Sequence, residues 1–231
     1  MASLKELKER VYEANMELPR RNLVIYTFGN ASGIDRERGI FAIKPSGIPY
    51  EELTPDSMVL VDLENNVVES CLNPSSDTKT HAVLYKNFHE IGGIVHTHST
   101  YATAWAQACK PVPCLGTTHA DHVPGDIPCT DILADEKIEA DYEEETGNII
   151  LESFRQLSYK EVQMVLVARH GPFTWGETPE KAVYNSVVLE QLAKMALLTT
   201  FADQSVQPLK ETLVQKHFYR KHGSGATYGQ E

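Results

Sequence analysis

The sequence predicts an α/β sandwich, a sheet of several strands with helices between them and at both ends. Short β-rich apolar runs recur through the first hundred residues and again near residue 165. Between and beyond them lie segments with apolar residues at helical spacing and good cap residues at their starts. The 231 residues suffice to bury a substantial core, and nothing in their order calls for a second domain, so residues 1–231 are expected to form one. Apolar residues at 42% and charged residues at 23% are ordinary for a globular chain and argue against disorder or a fibrous repeat.

The opening "ASLKELKERVYEANMELP" places Glu6 three residues after Ser3, a capping-box signature. Leu4, Leu7, Val11 and Leu18 then fall near helical spacing before Pro19. "NLVIYTF" and "GIFAI" read as strands ended by the glycine-containing turns "GNASG" and "KPSG". "SMVLVD" and "NVVES" continue the strand signal across a polar "LENN" turn. "PSSDTKTHAVLYKNF" reads as a helix with Ser76 as N-cap, "GGIVHTH" as a strand buried on both faces, and "STYATAWAQAC" as a helix. "KPVPCLGTTHADHVPGDIPCT", rich in Pro and Gly, is an ordered connection. "ADEKIEADYEEETGNIILESFRQL" reads as two helices broken at Gly147, and "VQMVLVARHGPFTWG" as one more apolar strand and a turn. Thr178 and Pro179 are a good N-cap and first helical residue for a helix through about Thr200. The tail "PLKETLVQKHFYRKHGSGATYGQE" starts helical and ends in polar, glycine-broken sequence.

A formal charge of −11 argues against general nucleic-acid binding, which needs a basic surface to displace counterions. An anionic metabolite can still find a locally basic pocket. No apolar run approaches the roughly 20 residues that span a bilayer, and no basic start precedes an apolar block, so a cytoplasmic location with no membrane contact is expected. Cys71, Cys109, Cys114 and Cys129 form no C-x-x-C pair and read as reduced, small buried side chains.

In a strand, residues i and i+2 share a face, so His96 and His98 can present both rings to one point. "MVLVARH" also ends in a histidine, His170. Three imidazoles at two strand ends suit Zn²⁺ with positions left open for substrate, although an H-x-H alone is more often incidental. Asp77 can be a fourth ligand, a base, or a helix-start carboxylate facing the dipole, and spacing alone favours the last. Three polar turns suit an anion: Gly29 and Asn30; Lys44 to Gly47 with Ser46; and Pro74 to Asp77 with Ser75 and Ser76. None matches a phosphate-binding loop or a dinucleotide fingerprint, and each taken singly can be only a turn. His119, Asp121 and His122 in "GTTHADH" offer a general acid or base, or merely solvated loop residues. Tyr228 lies in a polar tail that is either disordered or docked on something.

Taken together, "LPRRNLVIYTFGNASGIDRERG", "IKPSG", "PSSDTKTH", "GGIVHTHSTYATAWAQA", "GTTHADH", "GDIPCT", "ETGNIILE", "HGPFTWG" and "KHFYRKHG…YGQ" resemble the L-ribulose-5-phosphate 4-epimerases of the class II aldolase and adducin-like family. The resemblance runs from the first helix to the last residues. It implies a mostly antiparallel sheet sandwiched between helices, and one Zn²⁺ per subunit held by His96, His98, His170 and Asp77, with other divalent ions admitted by the same ligand types. It implies substrate and phosphate contacts at Gly29, Asn30, Ser46, Gly47, Ser75 and Ser76, beside Lys44. Asp121 and Tyr228 match the family's proton-transfer residues, and Thr117, Glu143 and Arg220 match positions that support the site. The implied reaction inverts C4 of a phosphorylated ketopentose by retro-aldol cleavage and aldol re-addition, in arabinose or ascorbate catabolism. The implied assembly is a fourfold homotetramer with active sites at subunit interfaces, which accounts for a tail that ends in a tyrosine.

Two rival functions share the fold. Zinc sugar-phosphate aldolases typically carry Glu where this chain has Asp77, and a non-catalytic adducin-like module is expected to lose the histidine set. The chain departs from its relatives at Phe28, where Trp is common, and at His122, where Tyr is common. "VARHG" also lacks a residue that many carry before this histidine.

Overall fold

Leu7, Val11, Ala14 and Leu18 recur at steps of three and four residues. They form the buried stripe of α1 (Leu4–Arg20) in the computed structural model of the chain, which describes residues 3–223 and residue 226. The capping box forms as expected: Glu6 N–H donates to the Ser3 hydroxyl and the Glu6 carboxylate accepts from Ser3 N–H.

Seven strands among the described residues make one sheet: β1 (Asn30–Asp35), β2 (Ile40–Ile43), β3 (Val59–Asp62), β4 (Val67–Glu69), β5 (Gly93–His96), β6 (Met164–Leu166) and β7 (Pro172–Gly176). Their spatial order is β4-β3-β2-β1-β5-β7-β6, and every neighbouring pair is antiparallel. The inserted β5 decides where chemistry can occur, because its register sets His96 opposite Asn30 of β1 on one side and Phe173 of β7 on the other.

Side-chain alternation along the strands feeds two apolar layers. Ala31, Ala42, Leu60 and Val95 pack with Leu7, Val11 and Leu18 of α1. Phe41, Ile43, Val61, Ile94, Phe173 and Trp175 pack on the other face. That face is covered by α2 (Thr78–Asn87), α3 (Thr100–Gln107) and α5 (Asp135–Ser153). The long α6 (Pro179–Ala202), capped by the Thr178 hydroxyl as its sequence predicts, serves both layers through Val183 and Leu189. The short α4 (Thr117–Ala120) lies against α7 (Glu211–His222).

Five local expectations are corrected. "NLVIYTF" is an irregular loop, because Asn22 and Tyr26 take left-handed backbone angles (φ 58° and 54°) that end extension, and the neighbouring "NASGID" is the strand. Close packing accounts for the glycine in this strand: a β-carbon on Gly33 would lie 2.6 Å from Pro179 and 2.9 Å from Val11, so no β-branched residue fits at that position. The N-cap of α2 is Asp77, not Ser76. The break in α5 falls at Asp141, while Gly147 stays helical and admits Val83 of α2. "VQMVLVARHGPFTWG" forms two strands, with His170 in the turn between β6 and β7 rather than at a strand end. All four cysteines are free as expected, but Cys71 is exposed, Cys109 and Cys129 are half-buried, and only Cys114 is buried.

Candidate metal centre and substrate pocket

His96 ends β5, and its ring stacks on Phe173 at 4.2 Å between centroids. Its Nδ1 donates to the Pro172 carbonyl at 3.0 Å; a carbonyl only accepts, so Nδ1 carries a hydrogen and Nε2 is the nitrogen left to face a ligand. His98 lies two residues further, past the end of the strand, with its Nε2 3.1 Å from His96 Nε2. His170 enters from the β6–β7 turn, which closes through His170 N–H to Val167 O and a left-handed Arg169 (φ 66°). One ligand atom from each of the three histidines lies within 4.8 Å of the others.

Burial lowers the pKa of His98 and His170, to about 3 for His170, and the neighbouring His96 lowers both further. A lowered pKa favours the neutral imidazole that a divalent ion requires of a nitrogen ligand. Two nitrogens bound at about 2.0–2.1 Å to one tetrahedral ion sit about 3.3 Å apart, close to the spacing of His96 and His98. The donor set therefore fits a borderline divalent cation.

Asp77 makes no capping bond to its own helix; its carboxylate accepts from the Asn30 amide at 2.6 Å and from the Ser75 hydroxyl at 3.5 Å. Burial alone would raise this carboxyl, but His96, His81, His170 and Asn30 together hold it below the usual carboxylate range. Asp77 is not one of the three residues whose ligand atoms cluster, yet it lines the same pocket.

That pocket, about 430 Å³, gathers eleven of the residues singled out in the sequence: Gly29, Asn30, Lys44, Ser46, Gly47, Ser75, Ser76, Asp77 and the three histidines. An isolated bridge between Pro45 and Pro74 ties two of the polar turns together. Gly29 (φ +71°) lies so close to β5 that a β-carbon there would meet the His96 carbonyl at 2.8 Å. Asn30 Oδ1 is buried with no hydrogen-bond partner among the described residues. Lys44 is only 2% exposed, and its ammonium donates to the carbonyls of Ile48, Pro45 and Thr27 and lies over the Tyr50 ring. Burial lowers its pKa to about 8.

Phe28, one of the departures from the relatives, also lines this pocket, whereas Asp121, Thr117, Glu143 and Arg220 do not. Asp121 caps the end of α4 and accepts from His217 Nδ1 at 2.9 Å, from the Arg220 guanidinium at 2.9 and 3.1 Å, and from Lys221 at 3.4 Å. Burial would raise this carboxyl, but the hydrogen bonds from His217 and Arg220 and the Lys221 ammonium hold it below the usual range. Thr117 opens the same short helix, and Glu143 accepts at its backbone carbonyl from the Thr80 hydroxyl at 2.6 Å. Tyr228 lies outside the described residues. Two partners were missed in the sequence: His217 on Asp121, and Tyr142, whose hydroxyl is 3.1 Å from His170 Nδ1. The first had a signal, since 217, 220 and 221 share one helix face; the second depends on a helix break that carries none.

Residues 9–197 match the family model described as the class II aldolase and adducin N-terminal domain. Over 228 residues, 99% of this chain and 100% of the relative, the sequence is 49% identical to L-ribulose-5-phosphate 4-epimerase UlaF of Salmonella paratyphi C and, at the same identity and coverage, to that of Salmonella typhi. An L-fuculose 1-phosphate aldolase structure superposes with TM-score 0.80 at 25% identity, covering 96% of this chain and 98% of that one. The fold is shared also with an L-fuculose 1-phosphate aldolase from Glaciozyma antarctica, with TM-score 0.75 at 22% identity, covering 94% of this chain and 81% of that one. A histidine trio at the end of an antiparallel sheet, a matching family model and relatives along the full length agree: the chain belongs to the class II aldolase and adducin family.

Proposed function

We propose that the chain is a zinc-dependent epimerase that interconverts L-ribulose 5-phosphate and D-xylulose 5-phosphate by retro-aldol cleavage and re-addition that invert C4. The observation that carries this reading is the convergence of three imidazoles in one pocket with three polar turns, in a chain 49% identical along its length to enzymes of that name.

His96, His98 and His170 hold the metal, with Asp77 as the further ligand. The ion, when bound, supplies Lewis-acid stabilisation of the negative charge that develops when the carbon–carbon bond breaks. Asn30 orients a sugar hydroxyl through its unpartnered Oδ1. Ser46, Gly47, Ser75 and Ser76 hold the phosphate beside Gly29, and the buried Lys44 ammonium adds positive potential beneath them. Asp121 and Tyr228 handle the proton of the C4 hydroxyl on opposite faces. The cations on Asp121 keep it ionised, and Thr117, Glu143 and Arg220 support the site.

Asp121, Thr117 and Arg220 form a cluster apart from the histidine pocket of their own chain, while Tyr26 (81% exposed) and Ile25 stand out from the loop that leads into that pocket. Both features support a fourfold homotetramer in which a neighbouring chain completes each site. Among the described residues no helix is long and apolar enough to cross a membrane. The reading is of one cytoplasmic epimerase domain over residues 1–231, acting on a phosphorylated ketopentose in arabinose or ascorbate catabolism. The test is conversion of L-ribulose 5-phosphate by the zinc-loaded protein. D-xylulose 5-phosphate is the expected product, and free aldehyde as the main product would assign an aldolase instead.

A further inference from the structure

Tyr142 touches the histidine trio but has no part in the roles above. Its hydroxyl meets His170 Nδ1 because α5 leaves helical geometry at Asp141 (φ −157°, ψ 90°), one residue earlier. The Asp141 carboxylate then accepts from Glu144 N–H at 3.2 Å and restarts the helix in the manner of an N-cap. Three contacts fix the restarted segment against α2, the helix that begins at Asp77. Lys79 pairs with Asp141, the Thr80 hydroxyl donates to the Glu143 carbonyl, and Gly147 lets Val83 approach to where a β-carbon would be 2.7 Å away. The phenol is thus held from one side and His170, in the β6–β7 turn, from the other.

The chemical consequence concerns which nitrogen of His170 is available. A histidine whose Nδ1–H donates to an oxygen keeps the Nε2 lone pair for a metal, and that outer partner also fixes the ring's orientation. The Pro172 carbonyl plays that part on His96 Nδ1, and the Tyr142 hydroxyl, which can accept as well as donate, stands at the matching place on His170. A backbone carbonyl inside a sheet needs no further support. A tyrosine hydroxyl does, and the break at Asp141 with its Lys79 pair supplies it.

We propose that Tyr142 is a positioning residue for the metal centre: it orients His170 for metal binding, and is itself aimed by the helix break at Asp141. The proposal rests on the reading of the three histidines as a metal site. The experiment is Zn²⁺ affinity, measured by competition with a chromophoric chelator, and the visible spectrum of the Co²⁺-loaded protein, for wild type, Tyr142→Phe and Asp141→Ala. Tyr142→Phe is expected to weaken Zn²⁺ binding by about 10- to 100-fold and to shift the cobalt bands, with the thermal midpoint of the metal-free protein unchanged. Asp141→Ala is expected to weaken binding in the same direction by less. Wild type that binds no metal would overturn the metal reading itself. Wild type that binds while Tyr142→Phe matches it within twofold, with an unshifted spectrum, would overturn the role of Tyr142 alone. Weakened binding accompanied by an equally destabilised metal-free protein would assign the tyrosine to packing. Unchanged affinity in Asp141→Ala would overturn the aiming by the helix break.

Discussion

Replacing Gly29 with alanine tests how closely the pocket loop is fitted to the strand that carries His96. Gly29 and Gly47 share nearly the same backbone angle, φ +71° and +70°, so an alanine at either site bears the left-handed penalty of about 1–2 kcal/mol. They differ in space. Around Gly47 a β-carbon meets nothing within 4 Å, whereas at Gly29 it meets the His96 carbonyl oxygen and a Val24 methyl, each at 2.8 Å. One of these is backbone that cannot yield without moving β5, and such overpacking costs a further amount of about 1–3 kcal/mol. Urea unfolding of the metal-free proteins should therefore place Gly29→Ala below Gly47→Ala by about 1–3 kcal/mol. Zn²⁺ affinity should fall in Gly29→Ala alone, because only there is the His96 backbone displaced. Equal destabilisation of the two variants, or equal zinc affinity, would refute the claim that the loop and the ligand strand are in forced contact.

Three further outcomes are expected. Tyr228→Phe should lower turnover strongly with metal content intact, and unchanged turnover would exclude an essential role for the phenol. Glu180, half-exposed, has its pKa lowered to about 2 from 4.5, chiefly by its hydrogen bonds to Arg10 at 2.9 and 2.8 Å. A lowered acid contributes stability above the unfolded value and loses it as pH falls towards 2. Solvent screening reduces this pair to about 0.2–1 kcal/mol, so Glu180→Gln should cost that much at pH 7 and nothing near pH 2 by denaturant titration. Asp121→Asn should lower turnover while leaving Zn²⁺ affinity unchanged, because the residue lies outside the pocket of its own chain; a chelator competition that shows weakened binding would contradict that separation.

Features governed by local chemistry were legible in the sequence. The capping box at Ser3, the Thr178–Pro179 start of α6 and the strands β2 to β5 depend on neighbours a few residues away. β1 was not legible, since α1 and α6 pass so close that Gly33 cannot carry a side chain, and "NASGID" lacks the run of β-branched residues that marks a strand. The apolar "NLVIYTF" misled for the complementary reason: Leu23 and Val24 are buried from a loop, not from a sheet. In the site, the polar turns and the H-x-H spacing located most of one pocket. The resemblance to the epimerases implied a place for Asp77 beside the histidines, where spacing alone favoured a helix-start carboxylate; the residue is the N-cap of α2 and also lines the pocket. His98 converges with His96 although it lies beyond the strand whose geometry suggested the pairing. Tyr142 was invisible because its position follows from Lys79 meeting Asp141 across 62 residues.

The central claim is that the three histidines form a catalytic metal site, and titration of the metal-free protein with Zn²⁺ tests it most directly. Epimerase activity should rise from near zero and saturate at one Zn²⁺ per chain, with both binding and activity lost together in His98→Asn. Full activity without metal, or saturation unaffected by His98→Asn, would contradict the account.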